Sequence, residues 1–505
     1  MTIDAGVGNI SEPLSGRRWD PPEIRRQVAL RIRSYRSHGF APGDRVLILF
    51  GNRLEFFAEL LAIWRLGGCA IPVNPNLTPF EIGKLAETSA ACYCVVDDAT
   101  GADKLPAVPN ATVLHTLQHE SGEADPGSPG SYPRLDDDAL IVFTSGSTGQ
   151  PKGVVHTHRS LYSRLVSLQL CLGSEDIKRA LFVLPTHAMP LVSNCLFPWL
   201  SGHDLFITPP FNANVLMHLG ELIDEQQISF VMTVPAMWNL VLKAANPPNN
   251  RSLRRVHTTS APLARETWVD IQRWSGIQNV VSAYGATETA SSVAGALDRS
   301  VVPESGLIGP PWGSRLKIVR MGDVDRPNDP DAECAQGDTG MLWLATPGLM
   351  RGYFRRQDLT DAVVKQGWFM TGDIALLDGQ GRLFLMGRES DEINKGGVKI
   401  YPGDIDLVAQ QFAATDDVCT FRIPDDLYGE NIGIALVLSE RSDASIRRLY
   451  RWLESRLARH KMPARWYLMD ALPRISRSKI NRDAIMRLCE SQKPLDLSAI
   501  IRETR

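Results

Sequence analysis

The segment RVLILF, residues 45 to 50, is a continuous apolar run of strand length, followed by LEFFAELLAIWRLGG (54 to 68) and CAIPVN (69 to 74). The middle segment has the length of a helix and ends in glycine, whereas the outer two have the length and composition of strands. A strand, a helix and a strand in this order predict neighbouring parallel strands. This stretch therefore predicts an α/β fold.

The same alternation continues on both sides of this stretch. Before it, Ile24, Val28, Ile32 and Tyr35 recur at intervals of three and four residues and predict a helix over 22 to 37. After it, strand and helix patterns alternate as far as a helix beyond Ala261. The further strands are ACYCVV (91 to 96), LIVFTS (140 to 145), HDLFITPP (203 to 210) and ISFVMTVP (228 to 235), and the further helices follow His158 and lie near 213 to 226.

The pattern changes between about residues 300 and 385. Short strands with glycine turns, GSRLKIVRMGD (313 to 323), GMLWLAT (340 to 346) and GRLFLMG (381 to 387), predict antiparallel sheet or a small β-barrel-like part. A final α+β segment follows. Because 505 residues exceed what one core normally organises, we expect two or more domains.

Composition excludes several classes of protein. The chain is 44% hydrophobic and 22% charged, and its net charge of -3 offers no basic face for nucleic acid. Its eight cysteines lack zinc-ligand spacing. His156 and His158 have no third ligand nearby, so a loop-to-helix junction is favoured over a metal site. No uncharged run is long enough for a membrane span, and a cytoplasmic location is expected.

The segment TSGSTGQPKG, residues 144 to 153, directly follows an apolar strand and carries glycines, hydroxyls and one lysine. Backbone N–H groups at glycine, side-chain hydroxyls and a positive charge together suit a phosphate. The spacing is not that of a Walker A loop, because glycine rather than Ser or Thr follows Lys152. A flexible linker is the alternative on composition alone.

Further motifs follow in a fixed order. They are YGATE (284 to 288), GYFRRQDLT (352 to 360), GWFMTGD (367 to 373), GRESDEINKGGVKIYPGDID (387 to 406) and PRISRSKINR (473 to 482). Together with FTSGSTGQPKGVVHTH (143 to 158), they resemble the adenylate-forming superfamily of acyl-CoA synthetases, adenylation domains and luciferases. The resemblance spans about residues 20 to 485, and its closest pattern is that of an acid–CoA ligase.

The resemblance implies roles for individual residues. Thr144 is assigned to the triphosphate, Thr287 to the α-phosphate, and Tyr284 offers a ring face for adenine. Asp373 is expected to accept hydrogen bonds from the ribose hydroxyls, with Arg388 supporting the sugar. The implied ATP-binding residues are Thr144, Ser145, Gly146, Ser147, Thr148, Gly149, Lys152, Ser260, Ala261, Pro262, Tyr284, Gly285, Asp373 and Arg388, and the implied catalytic residues are Lys479, Glu288, Thr287 and His187.

Glu288 is also the expected Mg²⁺ ligand, since Mg²⁺ prefers one or two carboxylates together with substrate phosphates. The resemblance makes Lys479 the lysine that bridges the acid and the α-phosphate. Glycine usually precedes this lysine, whereas this chain has Ser478. Ser390 lies at the domain hinge that the resemblance implies, where the family often has Asp or Lys. The resemblance thus implies a large N-terminal domain over 1 to 389 and a small C-terminal domain over 390 to 505 that carries Lys479. We expect Asp373→Ala to weaken ATP binding without disturbing the fold.

The acid is predicted to lack an amino group. Residues 185 to 191, PTHAMPL, contain no carboxylate to face an ammonium, and Ala188 replaces the asparagine of the similar 2-hydroxybenzoate-activating members, which implies a less polar acid. The implied pocket residues are His187, Met189, Trp238, Ser282 and Ala283, with Ser260 and Ala261 beside them.

The acceptor is predicted to be a thiol. Gly396 and Gly397 resemble the loop that admits a pantetheine arm, so coenzyme A is favoured, with a separate acyl carrier protein as the alternative. The expected cofactors are therefore ATP, Mg²⁺ and coenzyme A. A nucleotide-binding pseudoenzyme is a hypothesis from another class, and the presence of Lys479, Glu288 and Asp373 argues against it.

Overall fold

The computed structural model describes residues 6–97, 111–116, 133–145, 151–321, 332–395, 398–425, 429–476, 479–497 and 500. The helices are α1 (Pro21–Ser37), α2 (Leu54–Arg65), α3 (Pro79–Ser89), α4 (His158–Leu172), α5 (Phe197–Leu200), α6 (Ala213–Met217), α7 (Leu219–Glu225), α8 (Pro235–Ala244), α9 (Arg265–Ser275), α10 (Gln357–Val363), α11 (Pro402–Gln410), α12 (Asp443–Glu454) and α13 (Arg482–Glu490).

The strands belong to four larger sheets and one hairpin. They are β1 (Ile10–Glu12), β2 (Arg17–Trp19), β3 (Arg45–Ile48), β4 (Cys69–Pro72), β5 (Tyr93–Val96), β6 (Thr112–His115), β7 (Asp138–Ser145), β8 (Pro151–Thr157), β9 (Arg179–Phe182), β10 (Asp204–Ile207), β11 (Phe230–Thr233), β12 (Arg255–Thr258), β13 (Val280–Ala286), β14 (Ser291–Gly295), β15 (Leu307–Gly309), β16 (Arg315–Val319), β17 (Gly340–Ala345), β18 (Gly352–Tyr353), β19 (Val364–Lys365), β20 (Trp368–Leu377), β21 (Leu383–Arg388), β22 (Ile393–Lys395), β23 (Val398–Ile400), β24 (Thr415–Asp425), β25 (Gly429–Leu438), β26 (Arg465–Leu468), β27 (Arg474–Ser476) and β28 (Lys479–Ile480).

The predicted strand–helix–strand unit is confirmed. Strands β3 and β4 pair in parallel, with Val46 opposite Ala70, and their sheet has the order β18-β8-β7-β4-β3-β5-β6. Helix α2 between them is buried on nearly every side. A helix that is apolar all round belongs in the interior, and one apolar core joins Val46, Leu61 of α2 and Leu205 of the second sheet.

The second sheet has the order β14-β13-β12-β11-β9-β10-β1-β2. Strands β1, β10, β9, β11, β12 and β13 run parallel, whereas β2 and β14 pair antiparallel at its ends. The single helix predicted near 213 to 226 is wrong in one respect. It is two short helices, α6 and α7, because His218 between them has a non-helical backbone at φ −114°, ψ 27°.

The third sheet, of order β15-β21-β20-β17-β16 with β19 paired to β20, is antiparallel, as the short strands and glycine turns predict. From Ile393 onward the chain forms a further sheet of order β23-β22-β25-β24, with β26 beside β25. Two apolar clusters in this region contain only residues from Ile393 onward. Asp416 of this region contacts α8 through an ion pair with Lys243 and a hydrogen bond from Asn239.

Three observations concern cysteines, membrane spans and metal-binding groups among the described residues. All eight cysteines lie in this part of the chain and are free. Within the same part, no helix is long and apolar enough to cross a membrane. Nor do the described His, Cys, Asp and Glu side chains form a group of three that is arranged to hold a metal ion. His156 and His158 lie where β8 ends and α4 begins, which is the junction that the sequence favoured.

Candidate active site

The predicted site residues lie mainly where parallel strands of the second sheet end. His187 follows β9, Trp238 lies in the helix after β11, Ser260 follows β12, and Tyr284 lies near the end of β13. Carboxyl ends of parallel strands meet at one edge of a sheet, and ligands of open α/β sheets bind at that edge. The topology therefore brings together residues that are almost 100 positions apart.

Tyr284, Asp373 and Arg388 form one hydrogen-bonded cluster. The Tyr284 hydroxyl donates to Asp373 Oδ2 at 2.6 Å, and Arg388 Nε donates to Asp373 Oδ1 at 2.7 Å. Asp373 and Arg388 are directly opposite in the antiparallel pair of β20 and β21, so the sheet register fixes their contact. Burial, together with the adjacent Asp373 carboxylate, raises the pKa of Tyr284 well above its ordinary value.

This cluster changes one expectation. Asp373 is only 6% exposed, and both of its carboxylate oxygens already accept hydrogen bonds from protein groups. Asp373→Ala is therefore no longer expected to leave the fold undisturbed, because the substitution leaves Tyr284 and Arg388 without their partner. Each carboxylate oxygen accepts more than one hydrogen bond, so acceptance from ribose hydroxyls stays compatible with this geometry. The Tyr284 ring is packed in an apolar cluster, and stacking of adenine on it stays a prediction.

Glu288 lies on a single 3₁₀ turn, Thr287–Thr289, directly after β13. Its Oε1 accepts a hydrogen bond from the Tyr353 hydroxyl at 2.7 Å. The Lys152 ammonium lies 5.4 Å from the centre of the same tyrosine ring. Tyr353 thus links a residue of the glycine-rich segment with the predicted Mg²⁺ ligand. We did not predict Tyr353 from the sequence, although it lies in the quoted GYFRRQDLT motif.

His156, in strand β8, contacts the same 3₁₀ turn. Its Nε2 lies 2.7 Å from the Thr287 carbonyl oxygen and its Nδ1 lies 3.2 Å from Ser160 Oγ. Burial is the main reason that the pKa of His156 falls to about 4, so the ring is neutral at pH 7 and Nε2 donates its proton to the carbonyl. His156 is thus a positioning residue for Thr287 rather than a metal ligand.

The glycine-rich segment is part of a β-hairpin. Strands β7 and β8 are antiparallel, with Thr144 opposite Lys152 and Ser145 opposite Pro151. Gly146, Ser147, Thr148 and Gly149 lie outside the described residues, so wrapping of a phosphate by this loop stays a prediction. The hairpin differs from the strand–loop–helix of a Walker A site, in agreement with the sequence spacing.

Ser260 has an unusual backbone conformation at the predicted nucleotide edge. Its φ is 73°, in the left-handed region that non-glycine residues seldom adopt, and such residues concentrate at functional sites. Ser260 and Ala261 are exposed, and Pro262 is half-buried. Gly285, near the end of β13, allows β14 to approach β13, since a Cβ there would lie 2.3 Å from the Ser291 carbonyl oxygen.

The predicted acid pocket is lined by buried and mostly apolar side chains. Met189, Trp238, Ser282 and Ala283 are all at most 5% exposed. The Trp238 indole N–H donates to Thr233 Oγ1 at 2.8 Å, so this ring is a fixed apolar wall. Burial lowers the pKa of His187 to about 4, and its Nδ1 is buried without a hydrogen-bond partner among the described residues.

Asn52 positions the segment that carries His187, and sequence reasoning missed it. Its Nδ2 donates to the carbonyl oxygens of Leu184 and Thr208 at 2.7 and 2.9 Å, and its Oδ1 accepts from the Thr186 backbone N–H at 3.0 Å. Asn52 is 8% exposed and joins the two large sheets. A polar residue two positions after the apolar run 45 to 50 was the available signal.

The C-terminal candidates are described only in part. Lys479 begins β28, paired with β27, and its side chain lies outside the described residues. Gly396 and Gly397 also lie outside them, as does Ser478. Ser390 belongs to a 3₁₀ turn, Glu389–Asp391, that directly follows β21. Arg482, three residues after Lys479, pairs with Asp391 at 2.9 Å and thereby connects the lysine-bearing end of the chain to that turn.

Comparison with known proteins defines the class. The model of the family described as "AMP-binding enzyme" matches residues 25–354, more than half of the chain. A feruloyl-CoA synthase of Amycolatopsis sp. is 30% identical over 476 residues, covering 92% of this chain and 93% of its own. A 2-succinylbenzoate–CoA ligase of Geobacillus sp. (strain WCH70) is 27% identical over 471 residues, covering 92% of each chain. The chain therefore belongs to the AMP-binding enzyme family.

Solved structures agree on the fold. The o-succinylbenzoate CoA synthetase of Bacillus subtilis in complex with its acyl-adenylate superposes with a TM-score of 0.84 at 24% identity, covering 95% of both chains. The same enzyme with ATP and a magnesium ion gives a TM-score of 0.83 at 24% identity, covering 95% of this chain and 96% of that one. The predicted α/β fold with a C-terminal α+β part is confirmed.

The predicted enzyme class, an AMP-forming carboxylic acid–thiol ligase, is confirmed at the level of this family. The predicted cofactors are ATP, Mg²⁺ and coenzyme A; the relatives named above form CoA thioesters, and the solved neighbour holds ATP and a magnesium ion. The chemistry of the described donors fits these groups. The Glu288 carboxylate, held by Tyr353, is a hard oxygen ligand of the kind that Mg²⁺ prefers. The buried, unpartnered Nδ1 of His187 is a polar atom that a bound ligand would satisfy.

Proposed function

We propose that this protein uses ATP to activate a carboxylic acid without an amino group and transfers the acyl group to coenzyme A. The observation that carries the proposal is the Tyr284–Asp373–Arg388 cluster at the end of β13, where the turn with Thr287 and Glu288 directly follows. A carboxylate that is fixed by two donors is preorganised for a ligand with paired hydroxyls, such as ribose.

The reaction is proposed in two steps. The acid's carboxylate oxygen attacks the α-phosphorus of ATP, a P–O bond breaks and pyrophosphate leaves. The thiol sulfur then attacks the acyl carbonyl carbon, and AMP leaves with the electron pair of the cleaved bond. Lys479 is assigned to the first step, where a cation offsets the charge that develops in the transition state. Thr287 is assigned to the α-phosphate and His187 to orienting the acid.

The acid is proposed to be largely apolar. Ala188 leaves the segment before the buried π-helix Leu191–Leu196 without a carboxylate, and no ammonium is therefore matched there. The relatives named for ferulate and 2-succinylbenzoate act on aromatic acids, so aromatic acids head the substrates to be tested. A neutral His187 favours a hydrogen bond to the acid over an ion pair.

The acceptor and the domain arrangement complete the proposal. Gly396 and Gly397 are assigned to the path of the pantetheine arm, and residues 390 to 505 to a small domain that turns about Ser390 between the two steps. The separate apolar clusters from Ile393 onward support this division. Loading of an acyl carrier protein stays the alternative, because the carrier presents the same arm. The cytoplasmic location stays a prediction.

The test is ATP–pyrophosphate exchange with a panel of aromatic, alicyclic and aliphatic acids, followed by thioester formation with coenzyme A or a phosphopantetheinylated carrier protein. We expect exchange with at least one acid and none with α-amino acids. Thioester with the carrier alone would favour the alternative acceptor. Exchange with no acid, although ATP binds, would contradict the proposal and favour a nucleotide-binding pseudoenzyme.

A further inference from the structure

Arg164 of helix α4 is a buried cation without an acidic partner. Its side chain is completely buried. Nε donates to the Thr289 carbonyl oxygen at 3.3 Å and Nη1 to the Trp312 carbonyl oxygen at 3.1 Å. Nη2 donates to Ser314 Oγ at 3.4 Å and to Thr346 Oγ1. All four acceptors are neutral oxygens, so the guanidinium is hydrogen-bonded but its charge is not balanced locally.

Other buried arginines of this chain are balanced. Arg31 pairs with Glu59 at 2.9 Å, and Arg255 pairs with Asp176 at 2.8 Å. Among the described residues, Arg164 forms no ion pair. Burying an uncompensated charge costs several kcal/mol, and proteins normally offset that cost with a counter-charge. An arginine that keeps its charge in the interior without one therefore calls for an anion outside the described protein groups.

The position of Arg164 indicates which anion that is. Its Nε contacts Thr289, the last residue of the turn that carries Thr287 and Glu288. The guanidinium is close enough to contribute to the lowered pKa of His156, whose ring holds the Thr287 carbonyl. Helix α4 also directly follows β8, the strand that carries Lys152. The unbalanced guanidinium charge of Arg164 thus contacts the turn that is assigned to the α-phosphate.

We propose that Arg164 is an electrostatic positioning residue whose buried charge favours the anionic nucleotide over the uncharged nucleoside. This inference rests on the proposed function, because its ligand is the nucleotide of that reaction. Arg164 acts through the field of a fixed charge in a poorly screened interior rather than by contact with the ligand. Affinity should therefore depend on ligand charge in the order ATP, AMP, adenosine.

The test compares two substitutions at Ser314, which contacts Arg164 Nη2. Ser314→Asp sets a carboxylate beside the guanidinium and balances its charge, whereas Ser314→Asn is a neutral control of the same size. Dissociation constants for ATP, AMP and adenosine are measured by isothermal titration calorimetry. We expect Ser314→Asp to weaken ATP binding about tenfold and AMP binding less, with adenosine within about twofold of the unsubstituted protein. Ser314→Asn should leave all three constants near their original values.

A second pair of variants acts on the arginine itself. Arg164→Lys keeps the charge and should retain the preference for ATP over adenosine, whereas Arg164→Gln should reduce it about tenfold. If Ser314→Asp and Arg164→Gln each weakened the binding of ATP, AMP and adenosine by the same factor, the electrostatic role would be overturned and a purely structural role would remain. If the unsubstituted protein bound none of the ligands, the proposed function would fail and this inference with it.

Discussion

The nucleotide side and the acid side of the candidate site are built differently. On the nucleotide side, Asp373 is fixed by Tyr284 and Arg388 at 2.6 and 2.7 Å, and Glu288 is fixed by Tyr353 at 2.7 Å. On the acid side, Met189, Trp238 and Ala283 are buried apolar groups, and His187 carries a buried nitrogen without a partner. Directional hydrogen bonds thus define the nucleotide side, whereas the shape of the apolar lining mainly defines the acid side.

This difference separates what is specific from what is adaptable. Hydrogen bonds to charged groups discriminate strongly because a missing partner leaves a buried polar group unpaired. An apolar pocket discriminates weakly, by about 1–3 kcal/mol per methylene. We therefore expect changes on the nucleotide side to affect every acid equally, and changes on the acid side to alter the choice of acid.

The largest expected effect concerns Lys479, which is assigned to the point where the two sides meet. Lys479→Ala should lower the rate of adenylate formation about 10³-fold or more and leave thioester formation from synthetic acyl-adenylate largely intact. Gly397→Leu, which crowds the proposed pantetheine path, should do the reverse. Pyrophosphate release reports the first step and thioester yield the second.

The control for Lys479→Ala is Lys493→Ala, which removes an exposed lysine from the same C-terminal region. It should change neither step. If Lys479→Ala impaired both steps equally, the two-conformation mechanism would be wrong, and one fixed arrangement in which Lys479 serves throughout would be the better account.

The next effect concerns the nucleotide side alone. Asp373→Asn keeps the size of the side chain and one acceptor oxygen but removes the charge that Arg388 and the ribose are expected to share. We expect the dissociation constant for ATP to rise about 10²-fold, since hydrogen bonds to charged groups contribute about 1.5–3 kcal/mol each. Calorimetry measures this dissociation constant, and the loss of ATP affinity should be the same in the presence of any acid.

A matched control is available on the same hairpin. Asp378 lies in the turn after β20 and accepts from Arg382 Nε at 2.7 Å, as Asp373 accepts from Arg388. Asp378→Asn should leave ATP affinity unchanged. Similar losses in both variants would mean that the hairpin as a whole, rather than the Asp373 carboxylate, supports nucleotide binding.

A smaller effect is expected on the acid side. Ala188→Asp introduces a carboxylate with no ammonium to face it, so kcat/KM for the preferred acid should fall about 10-fold to 10²-fold. The affinity for ATP should not change. In Ala188→Asn, whose side chain has the size of Asp without the charge, kcat/KM should fall less. An unchanged kcat/KM in Ala188→Asp would show that residues 185 to 191 do not line the pocket.

Sequence patterns predicted the elements whose residues repeat a local signal. The apolar runs predicted β3, β4 and β11 correctly, because burial on both faces leaves a strand with few polar positions. The glycines after Leu66 correctly predicted the end of helix α2. The split between α6 and α7 was missed, since a histidine is compatible with a helix and gives no local signal of the non-helical backbone at His218.

Sequence motifs indicated Glu288 and Asp373 as candidate site residues, and their roles stay predictions. The partners that hold those residues were not indicated. Tyr353 reaches Glu288, and Asn52 reaches the segment before His187, only because strands distant in sequence become neighbours. Tyr and Asn are common residue types, so their positions alone do not indicate which residues they contact, and only the fold reveals those contacts.

The smallest effect distinguishes two histidines, one on each side of the site. Burial lowers the pKa of both His156 and His187 to about 4 from an ordinary value of 6.5. A histidine whose pKa is lowered in the folded protein takes up its proton first in the unfolded chain. Its contribution to stability is therefore present above pH 6.5 and is lost as pH falls from about 6.5 towards 4.

His156 should carry most of this dependence, because it is completely buried, whereas water that reaches the partly exposed His187 reduces the effect of burial on its pKa. We expect the free energy of unfolding to fall by about 2 kcal/mol between pH 7 and pH 5 on account of His156. His156→Gln, whose amide still donates towards the Thr287 carbonyl, should remove that part of the slope, and His187→Gln should remove less. Urea unfolding at the two pH values measures the difference. A larger change in His187→Gln would show that the acid side is the more tightly closed to water, and an equal change would show that the two sides do not differ.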